Sequence, residues 1–333
     1  MRCLALAQAW QDSGGRAVFV WAAMPGGLVA LLERENLGQA KIQVLAGSGD
    51  DVDATVLIAR REQAEWIVVD GAHFGSDYLD SLRASGLKVL AVDDGGRLDR
   101  YPVDVLLNQN LAATPGLYVA QIDAETALLL GPRFALLRRE FRAYRSWRRP
   151  SPRTPRRVLV SFGGGDEGNV TAGVLRNFAR SGRTDFEVIA LAGATNRHLA
   201  ELRQVAAEVD FPCELRRGVD NVAEVMAWAD VAITSAGSTV WELAAMGLPA
   251  LVADVADGQL SLLGEVDSFA LFQVHGVREL VTGDLPARLD ALLERRGTET
   301  GLDAEGAARV VAVLRTARVR TEGAHQSLML SPP

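Results

Sequence analysis

The chain has 333 residues, 48% of them apolar, with 35 Lys+Arg against 42 Asp+Glu and a formal net charge of −7. That length supplies two domains of ordinary size, and a 6% aromatic share with 32 glycines in an Ala/Leu/Val-rich background fits an α/β protein, excluding a fibre, an all-β shell or a disordered chain. Net acidity argues against nucleic acid as a partner; only Lys41 and Lys88 among the basic residues are lysine, which reads as the codon bias of a GC-rich genome rather than a basic binding surface.

In chain order, Leu4, Leu6, Ala7 and Trp10 have helical spacing, and Gly14-Gly15 stop that helix before the apolar run AVFVW. LVALLEREN then reads as a helix, IQVLA as a strand, VLIARREQA as a helix, WIVVD as a strand, DYLDSLRASG as a helix, and KVLAVDD and DVLLNQN as strands. Short apolar runs separated by helices predict a parallel sheet with crossover connections. Between Arg138 and Arg157 the pattern changes to nine Arg and three Pro, a linker composition whose arginines read as a solvated face or as groups approaching an anionic substrate. Alternation then resumes, with strands at RRVLVSFGGGD, FEVIALAG, CELRRGV, DVAITSAG and PALVADV. The expected division is a first domain over residues 1–145, a linker over 146–156, a second domain over 157–318 and a disordered tail over 319–333.

Cys3 and Cys213 lack metal-ligand or redox spacing, so reduced, buried thiols are expected and no metal is. The apolar runs are short and broken by charge, and no secretory pattern opens the chain. No membrane insertion is therefore expected, and the protein reads as cytoplasmic.

In open parallel sheets ligands sit beyond the carboxyl ends of strands, which singles out four loops. In the first, Gly237, Ser238 and Thr239 follow an apolar run and precede a helix carrying Glu242. Such a turn lets backbone N–H groups and hydroxyls meet phosphate, and the carboxylate accept from ribose; the alternative is an ordinary N-cap with a capping-box Glu. In the second, Gly163 and Gly164 belong to the run FGGGDEGN ending at Asn169, which permits close backbone approach to a ligand but lacks Walker and dinucleotide spacing. The third places Asp70 and His73 after WIVV, a candidate acid–base pair or plain surface polarity. The fourth runs from Asp254 to Gln259, whose amide is within reach of a polar ligand group or simply solvated.

Taken together, MRCLALAQAW, VVDGAHFGSDY, LLGPRFALLRREF, VLVSFGGGDEGNVT and GVDNVAEVMAWADVAITSAGSTVWELAAMGLPALV resemble successive blocks of the UDP-sugar hydrolases of the pseudaminic-acid pathway, grouped with SpsG-like spore-coat-polysaccharide proteins. GSTVWELAAMGLP is the most specific block and is shared more loosely with peptidoglycan-precursor glycosyltransferases. The resemblance implies a GT-B-like fold of two Rossmann-like domains, a UDP-sugar substrate, and hydrolysis of a UDP-linked diacetamido-trideoxy-altrose to free sugar and UDP with no cofactor or metal. It implies that Asn169 contacts substrate, that Glu242 contacts the nucleotide, and that Gly237, Ser238 and Thr239 form the turn before it. It also implies a Gly-x-Gly-His loop just before the Met1 block, whose His is the base, and a strand leading into the first helix; neither has a counterpart in this chain. Two explanations stay open: a start codon assigned at an internal Met, with roughly 15–25 further residues upstream, or a homologue that binds a nucleotide sugar without hydrolysing it. Ala72 stands where the family places Tyr, and Gly258 where it often places Asn before the Gln. A glycosyltransferase of the same fold is the alternative activity.

Overall fold

A computed structural model describes residues 1–150, 154–255, 260, 264, 266–294 and 302–317. The expected tail and Gln259 lie outside the described residues. The first half is built from helix α1 (Arg2–Asp12), strand β1 (Val18–Trp21), α2 (Gly26–Arg34), β2 (Gly38–Lys41), α3 (Gly49–Arg61), β3 (Trp66–Asp70), α4 (Ser76–Ala84), β4 (Lys88–Val92), β5 (Val105–Asn108) and β6 (Ala127–Leu130). All its strand pairs are parallel, but they form two sheets, β1-β2 and β3-β4-β5-β6, rather than one. Burial follows that division. The inner strand β5 is buried throughout, whereas every residue of β1 and most of β3 are half-buried.

Helix α1 joins the two sheets through opposite sides of its surface. Leu4 and Ala7 pack with Leu32 and Leu37 beside the small sheet, while Ala5, Leu6 and Ala9 pack with Leu90, Val105 and Leu107 of the larger one. The strand expected at IQVLA lies earlier, over β2. Gly38 pairs with Val18, where any Cβ would sit 2.8 Å from the valine Cγ2, and Leu45 at the end of the apolar run is 80% exposed. Register with β1 thus outweighs local hydrophobicity in placing this strand.

The second half comprises α5 (Arg139–Arg142), β7 (Arg157–Ser161), α6 (Val170–Arg180), β8 (Glu187–Ala192), α7 (Leu199–Glu208), β9 (Cys213–Arg217), α8 (Val222–Trp228), β10 (Val231–Ser235), α9 (Thr239–Ala245), β11 (Ala250–Asp254) and β12 (Phe272–Gly276). Its six-stranded parallel sheet has the order β12-β11-β10-β7-β8-β9. Side chains alternate across it, so Leu159 and Ile189 pack with Trp241 on one face while Val158, Val160 and Val188 pack with Phe178 and Leu202 on the other. Coverage on both faces explains why these strands read as continuous apolar runs. From β7 the chain builds outward to β9, then crosses back to lay β10 on the other side of β7. Strand order reverses between β7 and β10, the place where open α/β sheets part their loops and admit ligands.

The helix Gly306–Thr316 falls inside the span expected for the second domain, yet it packs on the first half. Val310, Val311 and Leu314 are buried with Leu6, Ala9 and Leu90, and Lys88 Nζ donates to the Ala317 carbonyl at 2.5 Å. Its apolar stripe finds its partner on α1, a pairing that chain order does not announce.

The arginine-rich segment is less solvated than its composition suggests. The Arg149 guanidinium donates to the carbonyls of Met226 (2.8 Å), Ala229 and Met246 (3.2 Å), at the carboxyl ends of α8 and α9. A cation there opposes the negative pole of both helices, while burial lowers its pKa to about 10. Replacing Arg149 with Ala strips three helix-terminal carbonyls of their donor. Urea unfolding should show a loss of about 2 kcal/mol, against less than about 0.5 kcal/mol for Arg60→Ala on an exposed face.

Candidate functional site

The pairing of β10 with β7 sets Thr234 opposite Ser161, so the loops that leave these strands start side by side. A Cβ on Gly163 would lie 3.8 Å from Ser235 Oγ. The glycine-rich loop makes its turn at Gly163, whose φ is +79°, and it packs directly on the loop after β8. A Cβ at Gly193 would lie 2.2 Å from the Gly164 carbonyl oxygen, so only glycine allows that approach, which Thr195 Oγ1 secures by donating to the same oxygen at 2.8 Å. Gly163 and Gly164 are exposed.

The start of α6 is already occupied by the protein itself. The buried Asp166 carboxylate accepts from Val170 N (2.8 Å) and Thr171 N (3.1 Å), so these first-turn donors are taken by an internal anion. Asn169 adopts a left-handed conformation at φ 48°, its Nδ2 donates to Glu201 Oε2 at 2.7 Å, and its buried Oδ1 has no partner. The amide is therefore turned toward α7.

The neighbouring loop differs. Ala236 N donates to the Ala253 carbonyl at 2.7 Å, anchoring the turn to the end of β11, and α9 then begins with no side-chain cap. Ser238 already has helical torsions (φ −58°, ψ −22°) and is exposed, with Gly237 and Thr239 half-buried beside it. The capping alternative considered for Ser238 and Glu242 is not realised. Glu242 turns instead toward Arg138, whose Nη2 reaches its Oε1 at 3.3 Å.

Arg138 is the functional candidate that sequence reasoning missed. It is 6% exposed, and the same Nη2 lies 3.2 Å from Glu140 Oε1, while its Nε has no partner. Glu140 in turn accepts from Val222 N at 2.8 Å, at the start of α8. Burial, reinforced by the charge of Glu242, raises the Glu140 pKa, whereas the Arg138 charge opposes the rise. Two carboxylates thus share one buried guanidinium. The available signal was the apolar setting of Arg138, between the buried pair Leu136-Leu137 and Phe141.

Asp70 and His73 are not brought together as a pair. Arg2 grips Asp70 through Nη2 at 2.7 Å and Nε at 3.3 Å, and also pairs with Asp94. His73 is exposed, with its ring tilted 4.0 Å from Phe74, and no hydrogen bond joins it to Asp70 among the described residues. Among those residues no group of three or more His, Cys, Asp and Glu side chains is gathered to hold a metal, and no helix is long and apolar enough to cross a membrane.

Comparison with known proteins follows this geometry. Residues 163–256 match the family model of the glycosyltransferase family 28 C-terminal domain, a span running from the glycine-rich loop through β11. An uncharacterised protein of Methanocaldococcus jannaschii is 24% identical over 191 residues, 56% of this chain and 39% of that protein. The UDP-N-acetylglucosamine–N-acetylmuramyl-(pentapeptide) pyrophosphoryl-undecaprenol N-acetylglucosamine transferase of Acidithiobacillus ferrooxidans is 35% identical over 100 residues, 29% of this chain and 27% of the transferase. The matched regions thus span well under half the length of these curated relatives. Among solved structures, Acinetobacter baumannii MurG aligns over 94% of this chain and 95% of its own at TM-score 0.60 and 13% identity. UDP-GlcNAc 2-epimerase from Neisseria meningitidis, bound to UDP-GlcNAc, aligns over 95% and 97% at TM-score 0.64 and 9% identity. The fold is that of these proteins: two Rossmann-like parallel-sheet domains in a GT-B arrangement.

Burial raises the Cys3 thiol to about 12, with the Asp70 charge adding to the rise, and raises Cys213 to about 11. Both exceed the ordinary thiol value, so the folded chain keeps protons that the unfolded chain loses. This contribution to stability is fully present below about pH 9 and is lost as pH rises through about 11 for Cys213 and about 12 for Cys3. Both cysteines are half-buried rather than fully buried as expected, and with their raised pKa values iodoacetamide at pH 7.5 should label both thiols more slowly in the native protein than in urea; equal rates would contradict the raised values.

Proposed function

We propose that this chain binds a UDP-linked sugar at the carboxyl edge of the second sheet and hydrolyses it to UDP and free sugar, as the sequence resemblance to the hydrolases of nonulosonic-acid or surface-polysaccharide synthesis implies. The observation that carries the reading is the juxtaposition, fixed by the β7–β10 register, of an exposed Gly163-Gly164 turn and an uncapped Gly237–Ser238–Thr239 turn. That pair lies within the span matched by the family 28 domain. Backbone N–H groups and hydroxyls of the second turn face a diphosphate without competition from a side-chain cap, in contrast to α6, whose first turn Asp166 fills. Glu242, four residues beyond Ser238, supplies a carboxylate to accept from a ribose hydroxyl beside Gly163 and Gly164, and the sequence reading adds Asn169 and Gln259 as further ligand contacts.

In the reaction, a water oxygen bonds to the anomeric carbon as the bond from that carbon to the β-phosphate oxygen breaks. The electron pair leaves with UDP, where donors at the turn stabilise the growing charge. The proton of water passes to a base. Asp70 is unsuited to that role while Arg2 pairs with it, and among the described residues no hydrogen bond joins His73 to a carboxylate. A second reading, transfer of the sugar to an acceptor, is favoured by the 35% identity with a transferase over 100 residues.

Calorimetry should show saturable UDP binding, weakened about tenfold or more by Glu242→Ala. Release of UDP from candidate UDP-sugars without any acceptor selects hydrolysis. Release only with an acceptor selects transfer, and binding with no turnover selects a nucleotide-sugar-binding protein. Absence of UDP binding overturns all three.

A further inference from the structure

We propose that Arg138 is a positioning residue of the nucleotide site, aiming the Glu242 carboxylate so that the protein distinguishes a ribonucleotide from its 2′-deoxy counterpart. This rests on the reading of Glu242 as the ribose acceptor. Arg138 belongs to the segment that leaves the first domain, and its guanidinium inserts between two carboxylates of different origin. Glu140, two residues on, is fastened to the start of α8 through Val222 N at 2.8 Å, and Glu242 projects from α9. One buried cation therefore ties the end of the first domain to two helices of the second.

Arg138 is more than nine-tenths buried and its Nε has no partner, so the fork is not saturated by the two carboxylates. Both contacts, at 3.2 and 3.3 Å, are made from a single nitrogen. The guanidinium thus steadies Glu242 through one oxygen, Oε1, leaving Oε2 to accept from a ligand hydroxyl. Without the cation, Glu140 and Glu242 would face each other as partly buried carboxylates with no group between them to hold Glu242 in place. A turned Glu242 loses its place as the acceptor from the ribose 2′-hydroxyl. The diphosphate, bound by the turns at 163–164 and 237–239, would be untouched. Arg138 therefore acts on the sugar hydroxyls of the nucleotide and not on its phosphates.

The test is calorimetric titration of UDP and 2′-deoxy-UDP into the full chain and two variants. Wild type should prefer UDP by about tenfold, the worth of a hydrogen bond to a charged acceptor. Arg138→Met should lose that preference while binding 2′-deoxy-UDP within about twofold of wild type. Arg138→Lys, which preserves the buried charge but not the planar fork, should keep part of the preference and serves if the Met variant does not fold. Parallel loss of both affinities in the variants would assign Arg138 to scaffolding alone and overturn the proposal, as would an unchanged preference. A wild-type chain that binds UDP without preferring it would also overturn it, leaving UDP binding itself intact. A wild-type chain that binds neither nucleotide would instead bring down the UDP reading on which the proposal rests.

Discussion

The parallel register between β7 and β10 is the constraint from which the site follows. Setting Thr234 opposite Ser161 brings together two loops separated by some seventy residues of chain, because the strand order reverses there. A strand placed between β7 and β10 would part the glycine-rich turn from the Gly237–Thr239 turn. The buried apolar faces of the sheet, from Leu159 and Trp241 on one side to Val160 and Phe178 on the other, fix that register by their alternation. The fold thus sets where a ligand meets backbone, and the loops set what it meets.

Two neighbouring helix starts on this sheet have been given opposite fates. At α6 a buried aspartate takes the first-turn donors, and the left-handed residues Asp166 and Asn169 bend the chain to make that possible. At α9 no side chain does so, and the residue placed to close a capping box looks away to an arginine. The contrast separates a helix start filled by a side-chain anion from one without a side-chain cap, where Val240 N and Trp241 N close on the Gly237 and Ser238 carbonyls. The linker serves both functions at once: Arg149 fastens it to helix ends, and Arg138 fastens it to the two glutamates. Burying a cation costs desolvation, and these two positions offset it differently, with carbonyls at one and carboxylates at the other.

Much of this was legible in the sequence. Five strands of the second sheet, β7 to β11, could be read from their apolar runs, whereas β12, with the sequence FQVHG and alternating exposure at the sheet edge, could not. The small sheet was harder: β2 has the sequence GQAK, and register with β1 places it ahead of the more hydrophobic IQVLA. The helix Gly306–Thr316 was assigned by chain order, whereas its apolar stripe completes the core around α1. Arginine-rich composition suggested solvation, which hid Arg138 and Arg149, because burial of a charge depends on partners remote in sequence. Pairing of Asp70 with His73 failed for the same reason, since Arg2 reaches Asp70 across 68 positions of chain.

The central claim, that nucleotide is held at the β7–β10 edge, is tested most directly by hydrogen exchange with and without UDP. Saturating UDP should slow amide exchange in residues 162–165 and 236–242 while leaving residues 70–74 and 93–97 of the first domain unchanged. Protection confined to the first domain, or none at either loop, would contradict it.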